Sequence, residues 1–492
     1  MKKRKFLALT LACALGAGTM AGCGSDGGTQ TGANADGAAV TATETDTADS
    51  GEVVTLKWIQ VGNGMPDNYD AWLEQINPYL EEKIGVNVDM EIVPWGDWDN
   101  RRSVIANSGE AFDILFTDLT RYNSEVETGL FMDITEMIPT VTPDLYEMIT
   151  EQAWTAAAVG GKIYAVPNGG STTNYFIWDV DMAEKYNIDY KNIHTFEDLA
   201  PALQTIAEGE KKAPYRMSKN GADWLLNYYD QLGAGLPALG IRYDDAEKKV
   251  VNPLEEPEIA ANLELIHQMY KDGVINGDAP TSDDSPSYRT FFTASGWSSA
   301  AKTNWGPNNG IENCEAIQFG EPIISNTSVR GSMSGIYAGC QYPEKALQLI
   351  ELVNTDSKVR DWFFYGVEGE NFQYTADGKV EKLNSEWPMA GYTQGVFSNV
   401  SWNAALEVNE WEEVDQLNAS ATPSVMLGFD MDTSKVETEL ANCRAVYEKY
   451  KSELWTGAQD PKKLIPKILE ELEVAGWETI RAEAQAQVDA AK

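Results

Sequence analysis

The sequence is poor in the side chains that most often carry out chemistry. It has two histidines, His194 and His267, and five cysteines among 492 residues. The cysteines show no CxxC spacing, which argues against a transition-metal site and a disulfide framework. A histidine-dependent triad would need one of the two histidines, and no GxSxG turn is present. We therefore expect no metal and no cofactor. Whether Cys314, Cys340 and Cys443 include one disulfide stays open.

Basic residues are also scarce. The chain has 37 Lys and Arg against 76 Asp and Glu, which gives a formal net charge of −39 at pH 7. Such a chain repels phosphate backbones, so nucleic acid is excluded as a partner. Acidic surfaces are common among secreted proteins, where they mainly maintain solubility.

No apolar run is long enough to span a membrane comfortably. The run "LALTLACALGAGTMAG" follows the basic start "MKKRKF" and ends in small residues, which is the layout of a secretory signal. Its end, Met20-Ala21-Gly22-Cys23, resembles the lipobox of bacterial lipoproteins, although that pattern prefers Leu at the position of Met20. The resemblance implies a signal peptide over 1–22 and acylation, including palmitate, at Cys23. An ordinary signal peptide cut near Ala21 is the alternative.

The segment after Cys23 has almost no large apolar side chains. The stretch "GSDGGTQTGANADGAAVTATETDTADSGE" cannot bury enough surface to offset its ordering entropy. Residues 23–51 therefore read as a flexible tether. Together with a lipidated cysteine, the tether would hold a globular body near the outer face of the cytoplasmic membrane.

The chain after the tether is too long for one hydrophobic core, so at least two lobes are expected. "EVVTLKWIQVGNG" predicts a strand, residues 67–85 a helix, and "VNVDMEIVPW" a second strand. A short helix in "DWDNRRSVIANSGE" and a buried strand in "AFDILFTD" follow. This β-α-β-α-β order is the signature of a parallel, doubly wound sheet.

A second α/β region follows. Residues 160–179 predict a strand, a break and another strand, and 194–210 and 257–277 predict amphipathic helices. Residues 239–253 and 371–384 predict hairpins, the second around Asp377-Gly378. The chain from 434 to its end is expected to be helical.

Several of these stretches resemble one known family. "NPYLEEKIGVNVDMEIVPWGDW" followed by "IANSGEAFDILFTD" is similar to the first lobe of bacterial extracellular solute-binding proteins (family 1) for carbohydrate ABC importers, in a lipoprotein subgroup. "GGKIYAVPN" resembles the first hinge approach, and "MSGIYAGCQYPEKALQLIELVNTD" resembles the return into lobe one. "LWTGAQDPKKLIPKILEELEVAGWETIRAEAQAQVDA" resembles the C-terminal region of the subgroup.

The resemblance implies an α/β, two-lobed periplasmic-binding-protein-like fold. Each lobe would be a doubly wound sheet with flanking helices, with hinge strands between the lobes and a helical C-terminal region. The implied boundaries are 52–170 and 329–372 for lobe 1 and 171–328 for lobe 2, with 373–492 as a C-terminal hairpin and helical region belonging mostly to lobe 2. The ligand would lie in the cleft, at the carboxyl ends of the strands.

Fifteen tryptophans are more than packing normally uses, and tryptophan stacks well on the apolar face of a sugar. Amides, carboxylates and arginine suit the hydroxyls. Trp95 and Asp118 directly follow predicted strands, which places them at the cleft edge. The candidate ligand-binding residues are Asn63, Gly64, Trp95, Asp118, Asn168, Tyr175, Trp224, Trp297, Trp305, Arg330, Trp387 and Trp402.

The leading hypothesis is a lipid-anchored, monomeric receptor that is not an enzyme. It would capture an oligosaccharide and pass it to the permease subunits of an ABC importer. A secreted glycoside hydrolase is one alternative, but it needs two carboxylates across a sugar bond, and no motif selects such a pair. A binding protein for peptides or another solute on the same fold is the other alternative.

Overall fold

The computed structural model describes residues 53–283 and 289–491. The predicted signal peptide, Cys23 and the whole of the predicted tether lie outside the described residues. Within the described part of the chain, no helix combines the length and apolarity that crossing a bilayer requires.

The described residues form a mixed α/β structure, which confirms the predicted fold class. The strands are β1 (Val54–Gly62), β2 (Val86–Pro94), β3 (Ile114–Thr117), β4 (Ala165–Pro167), β5 (Thr172–Asp179), β6 (Tyr229–Asp230), β7 (Ile241–Arg242), β8 (Phe291–Ser295), β9 (Cys314–Ile324), β10 (Met333–Ile336), β11 (Phe372–Tyr374), β12 (Val380–Lys382) and β13 (Thr422–Pro423). The helices are α1 (Tyr69–Ile84), α2 (Trp98–Ser108), α3 (Tyr122–Glu127), α4 (Ile138–Val141), α5 (Pro143–Met148), α6 (Glu151–Ala157), α7 (Val180–Lys185), α8 (Phe196–Glu210), α9 (Pro257–Lys271), α10 (Gly306–Asn308), α11 (Asn326–Arg330), α12 (Pro343–Thr355), α13 (Ser357–Tyr365), α14 (Glu410–Ser420), α15 (Glu437–Trp455), α16 (Pro461–Ala475) and α17 (Trp477–Ala490).

The first sheet has the strand order β2-β1-β3-β10-β4. β1 runs parallel to β2 and to β3, which confirms the predicted β-α-β-α-β unit. β10 lies antiparallel between β3 and β4, so a strand from much later in the chain completes the sheet. Leu56, Trp58, Ile59 and Val61 of β1 are fully buried, as expected for a central strand covered on both faces.

The second sheet has the order β13-β9-β5-β8. β5 pairs antiparallel with both β8 and β9, so the expectation of a doubly wound sheet in each lobe is wrong for this sheet. The physical reason lies in the composition of β5. Phe176, Ile177 and Trp178 are all buried, and a strand buried on both faces has the same apolar pattern whether its neighbours are parallel or antiparallel.

Two large hydrophobic cores define two lobes. The first core takes side chains from residues 56–166 and 324–411, and the second from 176–319 and 426–488. The chain therefore passes between the cores between residues 166 and 176, between 319 and 324, and again between 411 and 426. Phe372, Val380 and Trp411 belong to the first core, so the hairpin β11–β12 and α14 pack with lobe 1. The predicted lobe boundaries did not anticipate this, and they stay a prediction.

Arg330 is the last residue of α11, and its hydrogen bonds leave it unavailable to a ligand. Its side chain is 1% exposed, and its guanidinium donates two hydrogen bonds to Asp430 at 2.6 and 2.8 Å. It also donates to the carbonyls of Ala156 and Ala158 at the end of α6 and to the Asn123 side chain. Because these five contacts use its donors, the prediction of Arg330 as a hydroxyl clamp is corrected to a structural role.

The described residues include no disulfide among the three cysteines that follow the tether. Cys314, Cys340 and Cys443 are buried and free. Burial raises the pKa of the thiols of Cys314 and Cys340 to about 12, which keeps them protonated and unreactive.

Arg330→Ala is expected to destabilise the protein by about 3–5 kcal/mol, because it leaves the Asp430 carboxylate, whose side chain is 16% exposed, without its cation and removes the donors to the carbonyls of Ala156 and Ala158. Urea denaturation measures the loss. Arg481→Ala serves as the control, because Arg481 pairs with Glu478 on the exposed side of α17 and should cost at most about 1 kcal/mol. A normal denaturation curve for Arg330→Ala combined with lost ligand binding would restore the hydroxyl-clamp interpretation.

Candidate functional site

The carboxyl ends of three parallel strands place several predicted residues at one edge of the first sheet. Asn63 and Gly64 follow β1, Trp95 follows β2, and Asp118 follows β3. Because these strands are neighbours, the four residues lie along the same edge, as predicted. Gly64 has φ of +98°, which a glycine adopts without strain, and it turns the chain away from the sheet.

Trp95 forms an exposed aromatic platform with Tyr392. Both side chains are 45% exposed, their ring centroids are 6.2 Å apart, and their planes differ by only 14°. Tyr392 is held at this edge by its main chain, because its carbonyl accepts a 2.7 Å hydrogen bond from the Ser332 hydroxyl just before β10. Large aromatic rings normally bury their faces, so two parallel rings in solvent mark a binding surface.

Asp118 adds a fixed negative charge beside the platform. Its carboxylate pairs with Arg102 at 3.0 Å, and the buried Arg102 also bonds Glu125. Burial of the hydroxyl, together with the charge on Asp118, raises the pKa of Tyr392 to about 12. The Tyr392 hydroxyl therefore stays protonated and can donate a hydrogen bond. Flat apolar faces beside hydroxyl donors and acceptors suit a polyol.

Two further apolar side chains flank the platform. Met65, in the turn after β1, is 44% exposed, and Leu119, directly after Asp118, is 42% exposed. Four exposed large apolar residues thus collect at one sheet edge, whereas scattered single ones need no explanation.

Asn168 lies at the hinge but is not available to a ligand. It is 1% exposed, and its amide donates to Ser332, Ser334 and the Thr393 carbonyl. Its predicted binding role is therefore corrected to fixing the first crossing. The same crossing is held at Ser171, whose amide and hydroxyl both donate to Asn418 Oδ1 at 2.8 Å.

Tyr175 and Trp305 lie together in lobe 2. Tyr175 is 2% exposed in the middle of β5, and burial raises the pKa of its hydroxyl, so its predicted binding role is corrected to packing. Trp305 is half-buried with its ring 5.9 Å from that of Tyr175 and packs over Gly296. The predicted role of Trp305 in binding stays a prediction.

Trp297 connects the lobes and also lines a cavity with Gly170, Phe397 and Asn418, so its predicted role in binding stays a prediction. It follows β8 of the second sheet, yet its ring packs against Phe397 and Trp411 of lobe 1. Its indole donates to Glu410 at 2.8 Å, and the neighbouring Glu413 accepts from the Ser298 amide at 2.6 Å. Two carboxylates of α14 thus hold the loop after β8.

Trp387 and Trp402, both predicted to contact the ligand, pack against lobe 1. The Trp387 indole donates to the Phe363 carbonyl at 2.9 Å, and its ring lies 5.9 Å from that of Trp72. Trp402 lies beside β12 with the Lys379 ammonium 3.7 Å from its ring centroid. Both side chains cover lobe 1, since an aromatic-rich segment does not reveal which face its rings will meet.

Trp224 is the remaining candidate in lobe 2. It is half-buried, its ring stacks on Phe196 with centroids 5.3 Å apart, and it lines a cavity beside α15.

Comparison with family models gives two matches along the chain. Residues 74–366 match the model of bacterial extracellular solute-binding proteins, and residues 425–492 match a domain of unknown function. A carbohydrate ABC transporter substrate-binding protein of Streptococcus pneumoniae serotype 4 is 29% identical over 473 residues, which cover 90% of this chain and 92% of the relative.

Solved structures agree with this assignment. The N-glycan transport solute binding protein NgtS of Streptococcus pneumoniae superposes with a TM-score of 0.81 at 26% identity, covering 89% of this chain and 98% of NgtS. An extracellular solute-binding protein of Bifidobacterium longum subsp. infantis, 15% identical, shares the fold with a TM-score of 0.61 over 90% of this chain and 99% of that protein. The predicted resemblance is confirmed: with the solute-binding model spanning more than half of its length, the chain belongs to the family of bacterial extracellular solute-binding proteins.

Proposed function

We propose that this protein captures an oligosaccharide between its two lobes and delivers it to the permease subunits of an ABC importer. The observation that carries the proposal is the exposed Trp95–Tyr392 platform beside Asp118, in a chain that superposes over most of its length on a glycan-transport protein. Asn63, Gly64, Trp95, Asp118 and Tyr392 would contact the sugar from lobe 1, and Trp224 from lobe 2.

Closure of the lobes would accompany binding. The TM-score to NgtS is 0.81 for one crystal structure and falls to 0.75 and 0.71 for its complexes with Man1GlcNAc and Man5GlcNAc. Since the sequence identity is 26% in all three comparisons, we attribute the decline to different lobe arrangements in the NgtS structures. This supports a ligand that favours an arrangement other than the one described here.

The proposal also includes the membrane anchor. Family membership implies an exported protein, and the lipobox-like Met20-Ala21-Gly22-Cys23 supports acylation of Cys23 and attachment to the outer face of the cytoplasmic membrane. We expect a monomer that binds without catalysis.

Trp95→Ala and Tyr392→Ala should each weaken binding of an oligosaccharide such as Man5GlcNAc by roughly tenfold to a hundredfold, because each removes one plate of the platform. Titration calorimetry measures the affinity. The melting temperature without ligand should change by no more than a few degrees, because both rings are largely exposed.

Tyr342→Ala is the matched control. Tyr342 is 46% exposed beside α12 in lobe 1 and lies outside the platform, so its removal should leave the affinity unchanged. Normal binding by both platform variants, together with a large fall in their melting temperatures, would assign the two rings to packing.

Bound oligosaccharide should be recovered intact after prolonged incubation, as assayed by mass spectrometry of the released glycan. Steady release of shorter sugars that stops on substitution of one Asp or Glu would instead identify a glycoside hydrolase.

Cys23→Ala should release the protein from the membrane fraction or leave its signal uncleaved, because it removes the acyl acceptor. Metabolic labelling with a fatty-acid probe tests this. An unlabelled wild-type protein would contradict the lipoprotein assignment and favour cleavage near Ala21.

A further inference from the structure

A cavity of about 300 Å³ in lobe 2 has two walls from different parts of the chain. One wall belongs to the region matched by the solute-binding model and includes Asn220, Asp223, Trp224, Asn227 and Gln231. The other wall is the inner face of α15, which belongs to the domain of unknown function. Its lining residues are Tyr447, Glu448, Lys451 and Trp455.

The two walls are fixed to each other. The Ala222 amide donates to the Trp455 carbonyl at 3.0 Å, and the Trp455 indole donates to the Tyr447 hydroxyl at 2.7 Å. Gly221 has φ of +57°, and a Cβ there would lie 2.3 Å from the backbone of Trp455. Only glycine permits this approach, so the cavity is a built feature of the fold.

The lining is polar in the manner of a sugar site. Asn220, Asn227 and Gln231 each present a carboxamide that can donate and accept, and within the described part of the chain these amides make no side-chain hydrogen bond. Trp224 is stacked on Phe196 and offers an aromatic surface. Lys451 pairs with Glu448 of the same lining at 2.6 Å and has further ammonium donors that a ligand can use. Unpaired amides around a tryptophan suit hydroxyl groups better than an apolar ligand.

Asp223 completes the donor and acceptor set. Although the residue as a whole is exposed, enclosure of its carboxylate raises its pKa to about 6, and the Lys451 charge partly offsets this. At neutral pH the carboxylate is therefore ionised and can accept from hydroxyls.

The cavity reaches towards lobe 1. Asn227 also lines a smaller cavity with Thr172, Asn174 and Ser325, where the chain crosses between the sheets. Gln231 lies two residues before Gly233, which packs against the Asn123 side chain of α3 in lobe 1. Asn227 thus lies between the cavity beside α15 and the smaller cavity at the crossing.

We propose that the C-terminal domain of unknown function supplies one wall of a carbohydrate subsite, in which Asn227, Gln231 and Asp223 meet Lys451 of α15. The proposal rests on the proposed function, because it adds a second contact region for the same oligosaccharide. A neutral glycan longer than a disaccharide is the chemical class that uses both this cavity and the Trp95–Tyr392 platform.

Lys451→Ala and Asn227→Ala test the proposal in the full-length mature protein by titration calorimetry with Man5GlcNAc. Each should lower the affinity about tenfold or more, because it removes a hydrogen-bonding partner of the sugar. Lys449→Ala is the matched control. Lys449 lies on the same helix but pairs with Glu471 away from the cavity, so this variant should bind like wild type.

Three results separate the hypotheses. Weakened binding in both cavity variants, with unchanged melting temperatures, supports the subsite. Wild-type affinity in both, while Trp95→Ala loses binding, overturns the subsite and leaves the proposed function standing. Failure of the wild-type protein to bind Man5GlcNAc at all overturns both.

Discussion

The buried pair of Arg330 and Asp430 is the contact on which the relation between the lobes depends. Through Arg330 it joins α11 to the end of α6 in lobe 1, and through Asp430 it joins α11 to the segment that leads into α15. A desolvated ion pair gains little net stability by itself, because removing both charges from water is costly. Here the guanidinium also satisfies carbonyls at a helix carboxyl end, where a cation is favoured. The pair therefore contributes more to fixing the relative positions of the segments that it joins than to the free energy of unfolding.

At the proposed binding edge, as at Arg330, one buried arginine bonds several partners. Arg102 pairs with both Asp118 and Glu125, so one cation orients two carboxylates. The three groups together keep a net negative charge. Tyr392 then extends the surface with a protonated hydroxyl. The polar groups that the sugar would meet are thus positioned by buried neighbours, and their orientation does not wait for the ligand.

The sequence was informative wherever the signal is local. The strand and helix alternation of residues 52–118 follows from periodicity. Trp95 and Asp118 were predictable because each directly follows a strand that pairs in parallel with β1. Tyr392 was not, since it reaches the same edge only through the long return of the chain after α13. Arg330 and Tyr175 were misassigned because the local sequence around a polar or aromatic residue near a crossing is the same whether its side chain faces solvent or a core. The antiparallel second sheet was missed because the sequence of a strand buried on both faces is uniformly apolar, whether its neighbours run parallel or antiparallel.

The insertion of β10 between β3 and β4 has a kinetic consequence. The first sheet cannot close before residue 336 is available, and its core also needs Trp411. Contacts of such sequence separation require closing long loops, which slows folding relative to local pairing. The amino-terminal half is therefore left without a complete core until most of the polypeptide has emerged. For an exported chain, slow closure of this sheet favours passage of the leading half through a translocation channel before it folds, with folding completed by the segment from β10 onward.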